Sequence, residues 1–144
     1  MKKEEKISQL LSEIGNNKKL LDATQGISND QCLSEGIDDL EQRNKYFFLL
    51  GVSLALLSYS GAIILNQEKN YVVPTEDKKL LSLQSKQVTK NKILLDLLAD
   101  IVKNESDPGD SQVRYHLFLN TALVMLNNRN MISINKEWNY QSPY

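Results

Sequence analysis

Apolar positions recur along most of the chain at helical spacing. Ile7, Leu10, Leu11 and Ile14 stand at i, i+3, i+4 and i+7, the stripe of a helix with one buried face. Gly15-Asn16-Asn17 interrupts that stripe and Leu20-Leu21 resumes it, so residues 4–22 read as one frayed helix or two short ones. Thr24-Gln25-Gly26 reads as a break. Ser28 with Gln31 three residues on has the form of a capping box opening another helical turn, and Gly36 ends that turn or bends the chain. From Ile37 the helical pattern returns, with Ile37, Leu40 and Phe47 near one face and Asp38, Asp39 and Glu41 suited to the positive end of a helix dipole. No proline intervenes before Pro74, so this helix is expected to run on into the apolar segment that follows.

Asn66-Gln67-Glu68-Lys69-Asn70 is a polar stop, and Tyr71-Val72-Val73 reads as extended because Pro74 disfavours the helical region for Val73. Thr75-Glu76-Asp77 opens a helix expected to reach about Asn104, with Leu80, Leu81, Val88, Leu95, Leu98 and Val102 mostly in one arc. Asn104 to Gly109 is the clearest turn. Asp110 or Ser111 then caps a last helix to about Asn128, apolar nearly all round from Leu117 to Leu126 and expected to sit deep. Met131 to Ile134 reads as a short extended piece and Trp138 to Tyr144 as a tail. The expectation is an all-α fold: a compact bundle of five or six helices in a single domain over residues 1–144, with 1–36 a looser N-terminal helical arm and 138–144 a tail.

The most apolar stretch is Tyr46 to Leu65, twenty residues without a charge. As one helix it would be about 30 Å long, the thickness of a bilayer core. It reads in two ways, as a membrane span or as the central helix of a bundle, apolar all round because neighbours surround it. Gly51, Ser53, Ser58, Tyr59, Ser60 and Gly61 dilute the run, and the amphipathic segments elsewhere need a partner for their apolar faces. Both points favour the central helix. Met1-Lys2-Lys3-Glu4-Glu5-Lys6 mixes acids with lysines and no apolar run follows, so no secretory signal is expected.

The chain has 144 residues, and 17 basic against 18 acidic side chains leave a formal charge of −1, so bulk attraction to nucleic acid or anionic lipid is not expected. One Cys and one His argue against a disulfide framework, a Cys-based zinc knuckle and a His-cluster metal site. Few glycines and no Gly-rich loop leave no phosphate cradle of the usual kind. No cofactor is expected. Pairing Cys32 with His116 as nucleophile and base lacks an orienting third group and an oxyanion hole. Adjacent Asp38 and Asp39 point in different directions on a helix and make a poor acid/base pair.

Three constellations remain. Gly51, Ala55, Ser58 and Ala62 form a small-residue stripe that permits close helix approach, as a self-association face or as a groove for a helix of the same chain. Lys79, Lys86 and Lys90 share one face of a segment with no acid between Asp77 and Asp96. That face suits a solvated surface, an acidic partner or RNA phosphates, though no aromatic is interleaved to stack bases. His116, Asn120 and Asn127 are expected to form a buried polar stripe on the last helix, which needs internal partners or water.

The stretch from Arg114-Tyr115 through Ala122-Leu123-Val124-Met125-Leu126 faintly resembles the last helix of the small all-helical subunit of type III CRISPR effector complexes. That family's Asn-Gly-Leu signature and the proline before it are absent from Tyr46–Leu65, so the resemblance does not amount to membership.

Helix-packing signals with an almost empty catalytic inventory point to a small non-catalytic intracellular protein–protein interaction module. An adaptor, an inhibitor or immunity protein, or a complex subunit fits, presenting a helix face or groove to a protein partner and able to form a homo-oligomer. Two alternatives stay open: a single-pass membrane protein spanning at 46–65, and a helical subunit of an RNA-containing complex contacting phosphates through the Lys79/Lys86/Lys90 face. The expected compartment is the cytoplasm, or the membrane under the first alternative.

Overall fold

A computed structural model describes residues 2–135 and 140–144; Trp138, where the expected tail begins, lies outside the described residues. The chain forms α1 (Lys3–Gly15), α2 (Lys18–Ser34), α3 (Leu40–Tyr59), β1 (Ile63–Leu65), a 3-10 turn (Glu68–Asn70), α4 (Lys78–Thr89), α5 (Lys92–Glu105), α6 (Gln112–Asn128) and β2 (Ile132–Ile134). The fold is an all-α bundle with one small antiparallel pair, in which Ile63 opposes Ile134 and Leu65 opposes Ile132.

Local chemistry starts these helices. Asn17, Asp39, Asp77, Asn91 and Ser111 occupy the N-cap positions of α2 to α6, and each side chain accepts a first-turn backbone N–H. Such a cap satisfies a donor that the helix itself cannot, at about 0.5–2 kcal/mol each. Two helices stop in the same way. Gly36 and Gly61 take φ of +77° and +80°, a conformation a side chain would oppose, and Ile37 N–H and Ala62 N–H reach back to the carbonyls of Cys32 and Leu57.

Three boundaries differ from the sequence expectation. First, Thr24-Gln25-Gly26 is no break and Ser28 no cap: α2 runs through both, because Leu20, Ala23, Thr24, Ile27, Ser28 and Cys32 make one buried stripe. The hydroxyls hide in that stripe by donating to helix carbonyls, Thr24 to Leu21 at 2.9 Å and Ser28 to Thr24 at 2.8 Å. Second, the helix expected from 75 to 104 is two, because Asn91 turns the chain and caps α5 through Leu94 N–H at 3.0 Å. Third, Tyr46–Leu65 is not one helix. Left-handed Gly61 ends α3 after Tyr59, and Ile63–Leu65 leave as a strand. The uncharged part of α3, 46–59, spans only about 21 Å. Among the described residues no helix is long and apolar enough to cross a membrane, so the span expected at 46–65 under the membrane alternative is unsupported.

The core gathers Leu50, Leu54 and Leu57 of α3 with Leu94, Leu98 and Ile101 of α5 and Leu119, Leu123 and Leu126 of α6, all fully buried. In the N-terminal arm α2 adds Leu20 and Ile27 to this cluster, whereas α1 buries Ile14 alone. The last residues are tied down: Gln141 N–H donates to Ser60 O at 2.8 Å, and Tyr144 Oη–H to Glu105 Oε1 at 2.8 Å.

Candidate interaction surfaces

Helix α4 is seated on the bundle by a thin inner face. Val88 is its one buried residue, flanked by half-buried Leu81, Gln84 and Ser85. Gln84 Oε1 is buried there without a hydrogen-bond partner among the described residues. The outer face carries Lys79, Ser82, Leu83, Lys86 and, at the C-cap, Lys90, all exposed. Lys78, Lys79, Leu83 and Lys86 border a shallow hollow of about 430 Å³, in which Leu83 is 59% exposed. Among the described residues, ion pairs form at Lys19, Lys45 and Arg114, and at none of the α4 lysines. The extended approach to α4 adds exposed Val72 and Val73. The structure therefore keeps Lys79, Lys86 and Lys90 together on one accessible side, and adds the leucine between them that charge counting passes over.

A second surface lies where α3 meets the α5–α6 turn. Lys45 Nζ sits 3.3 Å from Asp107 Oδ2 and 3.6 Å from Asp110 Oδ1. The hydrogen bond to Asp107, chiefly, lifts the Lys45 ammonium above the ordinary lysine range. Tyr115 Oη–H donates to Asp110 Oδ2 at 3.0 Å, and its ring lies 4.6 Å from that of Tyr46, which in turn meets Phe118 edge-on at 5.1 Å. Burial first, then the Asp110 carboxylate, push the Tyr115 hydroxyl well above its usual value, so it remains a neutral donor. Tyr115 also lines a cleft of about 190 Å³, together with the apolar Phe48 and Val52 and the acidic Glu105, Asp107 and Asp110. Phe48 is 66% exposed. Its contributing segments stand some sixty positions apart in the chain, so no local pattern announces it.

The other two constellations are placed differently. Ala55 is fully buried within the chain, and Gly51 and Ser58 are half-buried. Ala62 is buried beyond the end of α3, so the stripe is broken between Ser58 and Ala62. A Cβ built on Gly51 meets nothing within 4 Å, so no helix approaches closely there. The four do not compose a free self-association face. His116, Asn120 and Asn127 are half-buried on α6, and His116 Nε2 and Asn120 Oδ1 make no hydrogen bond among the described residues. Asn127 lines a separate hollow of about 220 Å³ with Gln87 and Asn91.

Cys32 is a free, buried thiol that burial pushes above its ordinary pKa. No group of three or more His, Cys, Asp or Glu side chains able to hold a metal ion occurs among the described residues. Compared with protein-family profiles, with curated proteins and with solved structures, the chain matches none.

Proposed function

We propose that this chain is a small, non-catalytic protein–protein interaction module of the cytoplasm, and that the outer face of α4 engages an acidic, partly apolar segment of a protein partner. The observation that carries the reading is Leu83, exposed on a helix between lysines that have no ion pair among the described residues. An apolar anchor ringed by unspent charge is the composition of a contact patch, the anchor supplying affinity and the charges register and encounter rate. Leu80, also exposed, widens the apolar part. The same face suits RNA less well, because a backbone-tracking surface uses aromatic side chains to stack bases and here the interleaved residue is leucine. The non-catalytic part of the reading is supported by Cys32, whose raised pKa is the opposite of an activated nucleophile's.

The test is binding of a Glu- and Leu-rich amphipathic peptide, followed by fluorescence anisotropy. Binding at low salt that weakens as salt rises, and that is lost in Leu83→Asp and in Lys79→Glu/Lys86→Glu, is the expected result. Absence of binding at low salt, or tighter salt-sensitive binding of polyuridylate than of the peptide, overturns the reading.

A further inference from the structure

Resting on that reading of α4, we infer that its acidic partner is a second copy of this chain: Leu83 of one molecule, flanked by Lys79 and Lys86, seats in the cleft between α3 and the α5–α6 turn of the next. Charge complementarity selects this occupant. The cleft sets three carboxylates, Glu105, Asp107 and Asp110, against the single ammonium of Lys45. Lys45 lies between Asp107 and Asp110, and the Asp107 side chain remains 71% exposed beside Glu105, so negative charge is left facing solvent. The α4 face is its opposite, lysines around one leucine.

Size agrees with charge. About 190 Å³ is below the roughly 300–1,000 Å³ of pockets that enclose small-molecule ligands. It is suited to a single aliphatic side chain, with Phe48 and Val52 supplying the apolar contact. The two surfaces are separate in the folded chain: Leu83 is 59% exposed and is not among the residues lining the cleft, so a molecule does not fill its own cleft with its own α4. Contact between copies joins unlike patches, so it either closes reciprocally into a two-fold pair or runs head-to-tail into a ring or an open chain.

Two variants, each with one surface broken, test this. Leu83→Ser/Lys86→Ser spoils α4 without reversing its charge and keeps the cleft, while Phe48→Lys/Asp107→Lys spoils the cleft and keeps α4. All four positions are exposed, and the melting temperature of each variant is the control that it folds. Mass is read by sedimentation velocity. The wild type is expected to grow in mass with concentration at low salt and to return to monomer at ~1 M salt, where the Debye length is ~3 Å. Each variant alone is expected to stay monomeric. Their mixture is expected to form a one-to-one dimer and stop there, because the pair shares one working α4 and one working cleft. A mixture that stays monomeric while the wild type associates overturns the inference in favour of another interface. A wild type that is monomeric throughout overturns it as well. In that case the acidic peptide separates the two claims: binding that depends on Lys79 and Lys86 leaves the α4 reading standing, and no binding removes both.

Discussion

Helices α3 and α4 are built from similar apolar residues and meet opposite fates. Helix α3 buries Tyr46, Leu49, Leu50, Ser53, Leu54, Ala55, Leu56 and Leu57, whereas α4, with Leu80, Leu81, Leu83 and Val88, buries only Val88. The difference lies in neighbours. Helix α3 is packed by α1, α2, α5 and α6, so nearly every direction is covered, while α4 rests on α6 and α5 and faces solvent elsewhere. Leucine inside a ring of helices is core, and leucine on a helix at the rim is surface available to a partner. The same contrast separates what holds the molecule together from what it offers to others.

The comparison can be broken or sharpened by substitution, read as chemical-denaturation midpoints and melting temperature. The largest effect is expected from Leu54→Ala in α3, which removes a fully buried side chain and leaves a cavity at a cost of ~2–5 kcal/mol. A loss under about 1 kcal/mol would mean that α3 is not the centre. Next is Tyr115→Phe, which deletes the hydroxyl bonded to Asp110 behind Tyr46 of α3 and is expected to cost ~1.5–3 kcal/mol, the range for a hydrogen bond to a charged group.

That variant also reports through pH. Burial and Asp110 raise the folded-state pKa of Tyr115 above its ordinary 10.0. The folded chain therefore holds a proton that the unfolded chain releases, and the associated stability is complete below pH 10.0 and lost as pH rises toward the folded value. Tyr46 contributes in the same direction, chiefly through burial. Tyr115→Phe should flatten the alkaline decline of the denaturation midpoint above pH 10.0 while lowering its neutral plateau; an unchanged alkaline slope would contradict the assignment.

Ala55→Leu follows, overpacking a position with no exposure at ~1–3 kcal/mol. An unchanged melting temperature would show unfilled space beside α3. Smallest is Leu83→Ser on α4, expected to shift stability by no more than about 0.5 kcal/mol while abolishing association and peptide binding. Destabilisation as large as that of Leu54→Ala would make α4 part of the core and end the contrast.

Much of this fold was legible in the residues. The helix carried by Ile7, Leu10, Leu11 and Ile14, the Asn16-Asn17 interruption, the Ser111 cap and the extended piece at 132–134 all stand where local pattern puts them, although Leu11 is left exposed on the expected buried face. The errors have specific causes. Thr24 and Ser28 looked like punctuation because a free hydroxyl favours caps and turns, but inside α2 both bond back to helix carbonyls and pass for core. Asn91 looked like one more polar residue among lysines, and its capping role depends on the chain having turned there. The run at 46–65 matched a bilayer in length only while Gly61 was read as helical.

The candidate site divides along the same line. Lys79, Lys86 and Lys90 were visible because helical spacing alone aligns them. The exposure of Leu83 was not, since an i, i+4 leucine reads as core until the packing on both sides of its helix is known. Nor was the cleft, where Phe48, Glu105 and Asp107 meet only after α3 and the α5–α6 turn are brought together.

By itself the sequence determined the class of fold, the positions of most helix starts, the basic stripe on α4 and the presence of a single cysteine and a single histidine, because each depends on residue type and on spacings of a few positions. The tertiary structure decided which apolar residues became core, where α3 ended, and that an acidic, apolar-sided cleft forms between α3 and the α5–α6 turn, apart from the basic face of α4. Those outcomes depend on which helices cover which, and burial is a property of neighbours rather than of residues.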